Sequence, residues 1–306
     1  MTDALPSWNE TAVKAAIVAF VEKVTRDGSP DYLPPAERIA TFDNDGTLWC
    51  EQPVQVQVLF AGDRLQQLAE QRPELKAQEP YRSYLARDIA SMKALGKKGL
   101  MEIAAATHAG LSASEMRAAV RAWLKTAVHP VLKRPHTEVV YQPMLELLDY
   151  LRANGFLVFI VTGGGADVVR TLSEQVYGVP RHMVVGSAMK VQMEERDGRM
   201  EIQKLPELLT FDDREVKPEN IEIHIGRRPV LAFGNSDGDL AMLRYTLTGE
   251  GPRLGLLLHH DDAEREFAYD RDFKLSPLAE ALDQAGAYGI SLVSMARDWR
   301  KVFPQA

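Results

Sequence analysis

Short apolar runs alternate with amphipathic helical patterns along most of this 306-residue chain. Such runs occupy 38–42, 156–161, 183–185, 230–233 and 254–258, and helical spacing occurs at 143–153 and 166–176. Apolar strands separated by helical segments are typical of a parallel sheet whose crossover helices cover both faces. The pattern therefore predicts an α/β fold built on a doubly wound parallel sheet.

The stretch from 53 to 135 departs from this alternation, because it shows little strand signal. Apolar residues recur there at helical spacing in three stripes: Val58, Leu59, Leu65 and Leu68; Leu85, Ile89 and Met92; and Met116, Val120 and Leu124. We therefore predict a helical cap domain at 53–135, inserted into a core formed by 1–52 and 136–306. A second insertion at about 187–216 contains two strand-like runs around Asp197-Gly198, a pair typical of a tight hairpin turn.

The composition excludes several classes of protein. The net charge of −7, from 36 basic and 43 acidic residues, argues against a nucleic-acid binder that relies on clustered Lys and Arg. The single cysteine, Cys50, cannot form an intramolecular disulfide, which is compatible with a reducing compartment. The N-terminal apolar residues Val13, Ile17, Phe20 and Val24 have the spacing of an amphipathic helix, and no run is long enough to span a membrane. We therefore expect a cytoplasmic protein without a membrane or nucleic-acid partner.

Two aspartates follow the first predicted strand directly, in the sequence Thr-Phe-Asp-Asn-Asp-Gly-Thr at 41–47. Ligand sites in open parallel sheets lie beyond the carboxyl ends of the strands. Of two carboxylates at such an end, one can attack as a nucleophile or bind a cation while the other transfers a proton. An Asx-type turn after a buried strand is the alternative interpretation of Asp43 and Asp45.

Two further strands end in polar residues of the same kind. The strand at 156–161 is followed by Thr162 and the glycines 163–165, and backbone N–H groups at a helix start can bind phosphate. The strand at 230–233 runs into Asn235, Asp237 and Asp239, which offer the oxygen ligands that Mg²⁺ prefers. A helix N-cap explains one of these acids, but it does not explain why acids cluster at the ends of two strands.

Together these stretches resemble the haloacid dehalogenase superfamily, and in layout the phosphoserine-phosphatase-like hydrolases of its phosphatase branch. The resemblance rests on the DxDGT sequence at 43–47, on Thr162, on a lysine, and on the Gly-Asn-Ser-Asp-Gly-Asp sequence at 234–239. It spans about residues 38–260 and implies a Rossmann-like core with an inserted cap. Lys217 fits the lysine position, and Lys204 is the competing choice.

The resemblance implies a Mg²⁺-dependent phosphatase that acts on a small phosphorylated metabolite through an aspartyl-phosphate. Asp43 would be the nucleophile, and Asp45 would first protonate the leaving group and then deprotonate water. Thr162, Gly163 and Lys217 would bind the phosphoryl oxygens. The implied metal ligands are Asp43, the Asp45 main-chain carbonyl and a member of the last motif.

The sequence departs from this resemblance at two positions. Asn235 stands where related phosphatases have an aspartate ligand, so that Asn235, Asp237 and Asp239 all remain candidates for direct metal binding. Glu51 lies near the position of an acid that binds the substrate amino group in phosphoserine phosphatases, but the spacing is one residue shorter. Two other functions stay open: a phosphotransferase or phosphomutase with the same site, and a non-catalytic phosphate-binding protein with this fold.

Overall fold

An eight-stranded, mostly parallel sheet forms the centre of the molecule. The computed structural model describes residues 3–86 and 88–304, except for the side chains at 89, 90, 92, 93, 95, 97 and 100. The strands are β1 (Ile39–Phe42), β2 (Leu157–Gly165), β3 (Val184–Arg196), β4 (Arg199–Thr210), β5 (Leu231–Gly234), β6 (Leu254–Asp261), β7 (Ala268–Tyr269) and β8 (Ser291–Ser294). Their order is β4-β3-β2-β1-β5-β6-β7, with β8 beside β6, and only the β3/β4 and β6/β7 pairs are antiparallel.

Helices cover both faces of this sheet. The main helices are α1 (Ala12–Thr25), α2 (Val56–Gln71), α3 (Tyr81–Leu85), α4 (Ile89–His108), α5 (Ala113–Leu124), α6 (Gln142–Ala153), α7 (Ala166–Tyr177), α8 (Val216–His224), α9 (Leu240–Leu247), α10 (Glu280–Tyr288) and α11 (Met295–Asp298). Side chains of α1, α6 and α7 share one buried cluster with the sheet, and those of α8, α9 and α10 share another. Successive residues of a strand point to opposite faces of the sheet, so that Ile160 of β2 packs in the first cluster and Val161 packs in the second. The predicted doubly wound α/β class is confirmed.

The helices α2 to α5 occupy the chain between β1 and α6, where the sequence predicts a helical insertion. Val58, Leu65 and Tyr84 belong to a small buried cluster of their own, separate from the two layers of the sheet. Of the second predicted stripe, the side chains of Ile89 and Met92 lie outside the described residues. The segment is helical as predicted, whereas the domain boundaries at 53 and 135 stay a prediction.

The predicted hairpin is formed by β3 and β4, which turn at Asp197 and Gly198. Its second strand is joined to the segment between α4 and α5, because Gly110 N donates to Lys204 O at 2.9 Å and Lys204 N donates to Leu111 O at 3.0 Å. The hairpin and the helical segment therefore lie side by side at the end of the sheet. Within the described part of the chain, no helix has both the length and the apolar character that a bilayer span needs.

Candidate active site

The predicted site residues converge at the carboxyl edge of the parallel strands. Asp43 follows β1, Thr162 lies near the end of β2, and Asn235 follows β5, while Lys217 lies in the first turn of α8. Asp43 N donates to Phe233 O at 2.9 Å, so the first acidic loop continues the pairing of the two central strands. A cavity at this edge is lined by Asp43 and Lys217 together with Asp45, Thr162, Gly163 and Asp239.

Lys217 is the electrostatic centre of the site. Its ammonium nitrogen, Nζ, donates to Asp43 Oδ1 at 2.7 Å, to Asp239 Oδ1 at 2.6 Å and to Val161 O at 2.9 Å. The side chain is 2% exposed, and the three acceptors match the three N–H bonds of an ammonium group. Burial lowers the pKa of Lys217, but Asp239 and Asp43 outweigh this effect and raise it, so the group stays charged.

The two aspartates of the first motif occupy different environments. Burial raises the pKa of the Asp43 carboxyl well above its ordinary range, Asp239 raises it further, and Lys217 opposes both effects. Burial also raises the pKa of Asp45, although Trp49 Nε1 donates to its Oδ1 at 2.8 Å and lowers the pKa. A raised pKa favours the protonated form of Asp45, which an acid that donates a proton near neutral pH requires.

The glycine-rich end of β2 lines the cavity with a hydroxyl and closely spaced backbone groups. Thr162 Oγ1 accepts from Gly164 N at 3.0 Å, and this leaves its hydroxyl hydrogen available for a ligand oxygen. Gly163 O accepts from Ser187 Oγ at 2.7 Å. Gly165 N donates to Gln57 Oε1 at 2.5 Å, so α2 contacts the end of β2 directly.

Asn235 is held by a hydrogen-bond network that links it to the first motif. Its Oδ1 accepts from Thr47 Oγ1 at 3.0 Å, and its Nδ2 donates to Glu51 Oε1 at 3.0 Å. Gly46 has a φ of +79°, and a Cβ there would lie 2.1 Å from Asn235 Nδ2. Glycine is therefore required at position 46 both by the backbone conformation and by the close approach of the amide.

Glu51 supplies a buried carboxyl group behind the uncharged Asn235. It also accepts from the hydroxyl of Tyr269 at 3.0 Å. Burial raises the pKa of Glu51 well above its ordinary value, and Asp45 and Asp43 add to the increase. In this structure Glu51 therefore contacts the asparagine that replaces an expected metal ligand.

The other two acids of the last motif are engaged with the protein itself. Asp237 Oδ1 accepts from Ala279 N at 3.0 Å and from Ala281 N at 2.8 Å, at the start of α10. Asp239 Oδ2 accepts from the backbone N–H groups of Asn235 and Ser236, while its Oδ1 accepts from Lys217. Asp239 thus positions the lysine and the loop, and Asp237 is turned toward α10.

The oxygen atoms around Asp43 suit a hard divalent cation. Thr47 Oγ1 lies 3.4 Å from Asp43 Oδ2 and 3.0 Å from Asn235 Oδ1, so one hydroxyl contacts both oxygens. One carboxylate and one amide carbonyl, together with a main-chain carbonyl such as that of Asp45, would offer the oxygen-only set that Mg²⁺ favours. In the described portion of the chain, no three His, Cys, Asp or Glu side chains are grouped to hold a metal. The amide and the main-chain carbonyl would therefore have to contribute.

A buried histidine supports the first motif from outside the cavity. His260 Nε2 lies 2.8 Å from Gly46 O, and Nδ1 lies 3.2 Å from Glu266 Oε2. Both neighbours are acceptors, and Glu266 also accepts from Tyr141 OH at 3.0 Å and Phe267 N at 2.7 Å. This arrangement holds the carbonyl of the residue after Asp45. The sequence offers no signal for the contact, since 214 positions separate the two residues.

The structure separates the two candidate lysines. Lys217 contacts Asp43, whereas Lys204 on β4 forms an ion pair with Asp167 on α7. Gln57 is a site neighbour that the sequence analysis did not identify, because a glutamine in the first turn of α2 has no distinguishing pattern. The indole of Trp49, which contacts Asp45, could have been anticipated from its position beside the motif.

Known proteins resemble this chain in sequence pattern and in fold. The haloacid dehalogenase-like hydrolase family matches residues 40–244. A conserved, functionally unknown protein from Anaerococcus prevotii DSM 20548 is 18% identical, with 96% of this chain and 94% of that chain covered and a TM-score of 0.61. A protein with unknown function from Bordetella pertussis Tohama I is 16% identical, covering 84% and 98%, with a TM-score of 0.52.

A phosphoserine phosphohydrolase-like protein from Francisella tularensis subsp. tularensis SCHU S4 is 17% identical, covering 73% of this chain and 88% of that one, with a TM-score of 0.39. No curated protein matches the chain significantly in sequence. The two structures with higher TM-scores show a shared fold, and the family match covers about two thirds of the chain, including the acidic residues at 43–47 and 235–239. The chain belongs to the haloacid dehalogenase-like hydrolase family.

Proposed function

We propose that this hydrolase is a Mg²⁺-dependent phosphatase that hydrolyses small phosphate monoesters through an aspartyl-phosphate on Asp43. One observation supports this most strongly: Asp43 and Asp45 line one cavity with Thr162, and Lys217 Nζ lies 2.7 Å from Asp43 Oδ1. Phosphoryl transfer depends mainly on positioning and on neutralising the charge of the phosphoryl oxygens. A nucleophilic carboxylate, an acid and a fixed cation meet those needs.

The reaction would proceed in two displacements. In the first, a carboxylate oxygen of Asp43 bonds to phosphorus while the bond from phosphorus to the ester oxygen breaks, and Asp45 gives its proton to that oxygen. In the second, Asp45 removes a proton from water as the water oxygen attacks phosphorus. The bond to Asp43 then breaks, and inorganic phosphate leaves. The hydroxyl of Thr162 would hold a phosphoryl oxygen during both steps, and the positive charge of Lys217 beside Asp43 would offset the negative charge of the phosphoryl group.

Asp43, Asn235 and the Asp45 main-chain carbonyl would hold the Mg²⁺. A bound divalent cation supplies positive charge that reduces the repulsion between the Asp43 carboxylate and the phosphate it attacks. Asp239 keeps Lys217 in place at 2.6 Å, and Asp237 would serve the structure of α10 rather than the metal.

The segment 53–135 would act as a cap that excludes water while Asp43 is phosphorylated. This is supported by Val58, Phe60 and Met101, which line the same cavity as Asp43. A covered cavity favours small phosphorylated metabolites over phosphoproteins. The cytoplasmic location and the phosphoserine-phosphatase-like branch belong to this proposal as well.

The test is a panel of phosphate monoesters assayed with Mg²⁺ and with a chelator. We expect Mg²⁺-dependent release of inorganic phosphate by the natural chain and none above background by Asp43→Asn. Added alcohols such as glycerol test the phosphotransferase alternative, since a transferase would form a new phosphate ester instead of free phosphate. Binding of phosphate without any turnover of the panel would favour the non-catalytic alternative.

A further inference from the structure

The cavity that contains Asp43 is lined by many apolar side chains. Its volume is about 200 Å³. The apolar lining includes Val58 and Phe60 of α2, Met101 of α4, Val168 of α7, Met189 of β3 and Leu208 of β4. The helical segment, the core and the hairpin all contribute, so apolar groups reach the cavity from several elements.

The hairpin contributes its share through one cross-strand pair. Met189 and Leu208 are paired in the register of β3 and β4, and both line the cavity. Leu209, the next residue, is 63% exposed and does not line it. Successive strand residues point to opposite faces, so that Leu208 and Leu209 form a matched inner and outer pair.

Outside the sequence motifs, the ionisable side chains that line the cavity are Asp167, Asp213 and His108 among the described residues. Asp167, which lines the cavity, forms an ion pair with the buried Lys204. Burial lowers the pKa of His108 to about 4, so its imidazole is uncharged at neutral pH. Lys217 is the one cation among the described residues that line the cavity, and its three N–H bonds are made to protein acceptors.

We infer that the leaving group of the substrate is an uncharged, largely apolar alcohol or phenol, an inference that rests on the proposed phosphatase function. An apolar leaving group replaces water on the walls formed by Phe60, Met101 and Met189. A carboxylate on the leaving group would lose its hydration near Asp167. Among the described residues that line the cavity, no free cation is present to pair with it. Serine, a zwitterion, fits these walls poorly.

The sharpest test compares esters that differ only in charge. Benzyl phosphate, 4-carboxybenzyl phosphate and 4-(aminomethyl)benzyl phosphate have similar leaving alcohols, and O-phospho-L-serine adds the zwitterion. We expect kcat/KM for benzyl phosphate to exceed that for each charged ester by at least about 50-fold. Acetyl phosphate, with its small leaving group, measures the phosphoryl chemistry independently of the apolar walls.

Two variants of the hairpin link the preference to the cavity. Leu208→Lys places a cation at the lining, and we expect it to reduce the preference for benzyl over 4-carboxybenzyl phosphate at least about tenfold. Leu209→Lys adds the same charge one residue away on the outer face, and the preference should not change. Equal effects of the two variants would count against the cavity as the site of discrimination.

Turnover of acetyl phosphate without any preference for benzyl phosphate overturns this inference and leaves the proposed function intact. If no ester and no acetyl phosphate is hydrolysed, the proposed function fails. In that case calorimetry with benzylphosphonate and 4-carboxybenzylphosphonate still tests the cavity. Tighter binding of benzylphosphonate than of 4-carboxybenzylphosphonate supports the inference, and equal or reversed affinities contradict it.

Discussion

Asp43 and Lys217 form a buried ion pair on which the other site residues depend. Lys217 joins Asp43 to Asp239, and Asp239 in turn accepts the backbone N–H groups of Asn235 and Ser236. A buried charge is tolerated only when it is paired and hydrogen-bonded, and here each member of the set has such partners. One lysine therefore positions the nucleophile and the loop after β5 together.

Replacing Lys217 by Met should lower kcat for acetyl phosphate by roughly 10²–10³-fold, because the positive charge that offsets the charge of the transferring phosphoryl group is lost. The unpaired acids should also lower the free energy of unfolding by about 3–5 kcal/mol, measured by urea denaturation. Lys204→Met is the matched control, since Lys204 is also buried in an ion pair but contacts Asp167. A fully active Lys217→Met enzyme would refute the role of this lysine.

Moving the negative charge from position 51 to position 235 tests whether the contact with Glu51 favours an uncharged side chain at position 235. Asn235→Asp alone places a carboxylate where the amide now lies 3.0 Å from Glu51 Oε1. Without metal it should lower the free energy of unfolding by about 1–3 kcal/mol. Adding Glu51→Gln should recover the lost stability. In calorimetry, the double variant should bind Mg²⁺ more tightly than the natural chain. Additive losses in the double variant would show that the two side chains are not coupled.

The buried carboxyl group of Asp212 should make the free energy of unfolding depend on pH. Burial raises the pKa of this carboxyl from 3.8 to about 6, and its Oδ1 accepts from Asn220 Nδ2 at 3.0 Å. Since the folded state holds the proton more tightly, this group makes the protein less stable as pH rises from about 4 through 6.

Asp212→Asn keeps the acceptor at Oδ1 and removes the ionisation. We therefore compare the free energy of unfolding of the variant with that of the natural chain. The difference, variant minus natural chain, should be roughly 3 kcal/mol larger above about pH 7 than at pH 4. Urea denaturation across this pH range measures the difference. A stability difference that stays constant with pH would contradict the assignment.

Among the elements, the turns after β1 and β5 depend on close packing of backbone against side chain. A Cβ on Gly234, the last residue of β5, would lie 2.3 Å from Asp239 Cβ. That contact would push away the carboxylate that holds Lys217. The glycine of this motif is thus required by the position of Asp239 rather than by an unusual backbone conformation.

Gly234→Ala should reduce both kcat and the thermal midpoint, because the Asp239 loop must move. Gly62→Ala within α2 is the matched control. Nothing lies within 4 Å of a Cβ at Gly62, and replacing a helical glycine there should stabilise the protein by about 0.5–1 kcal/mol. Calorimetric scans of the two variants should shift in opposite directions, and a shift of both in the same direction would argue against the steric account.

For the whole molecule, the sheet order explains how distant segments meet. The parallel strands β2, β1 and β5 are adjacent, so their carboxyl ends bring Thr162, Asp43 and Asn235 to one edge. This much could be predicted, because apolar strands ending in polar residues leave a local signal in the sequence. The class of fold and the hairpin could be predicted for the same reason.

Contacts between side chains far apart in the chain could not be predicted in this way. The choice between Lys217 and Lys204 depends on which lysine the fold brings to Asp43, and a single lysine carries no local pattern. The contact of Glu51 with Asn235 joins residues 184 positions apart. The orientation of Asp237 toward α10 likewise depends on how a later helix packs.

The most direct test of the account is detection of the phosphoryl group on Asp43. Asp45→Asn should slow hydrolysis of the aspartyl-phosphate, while acetyl phosphate needs little proton donation to release acetate. After incubation with acetyl phosphate and Mg²⁺ and an acid quench, mass spectrometry should find one phosphoryl group on the peptide containing Asp43. The Asp43→Asn/Asp45→Asn variant should carry none. Continued phosphate release by the Asp43→Asn variant, or a phosphoryl group on another residue, would contradict the assignment of Asp43 as the nucleophile.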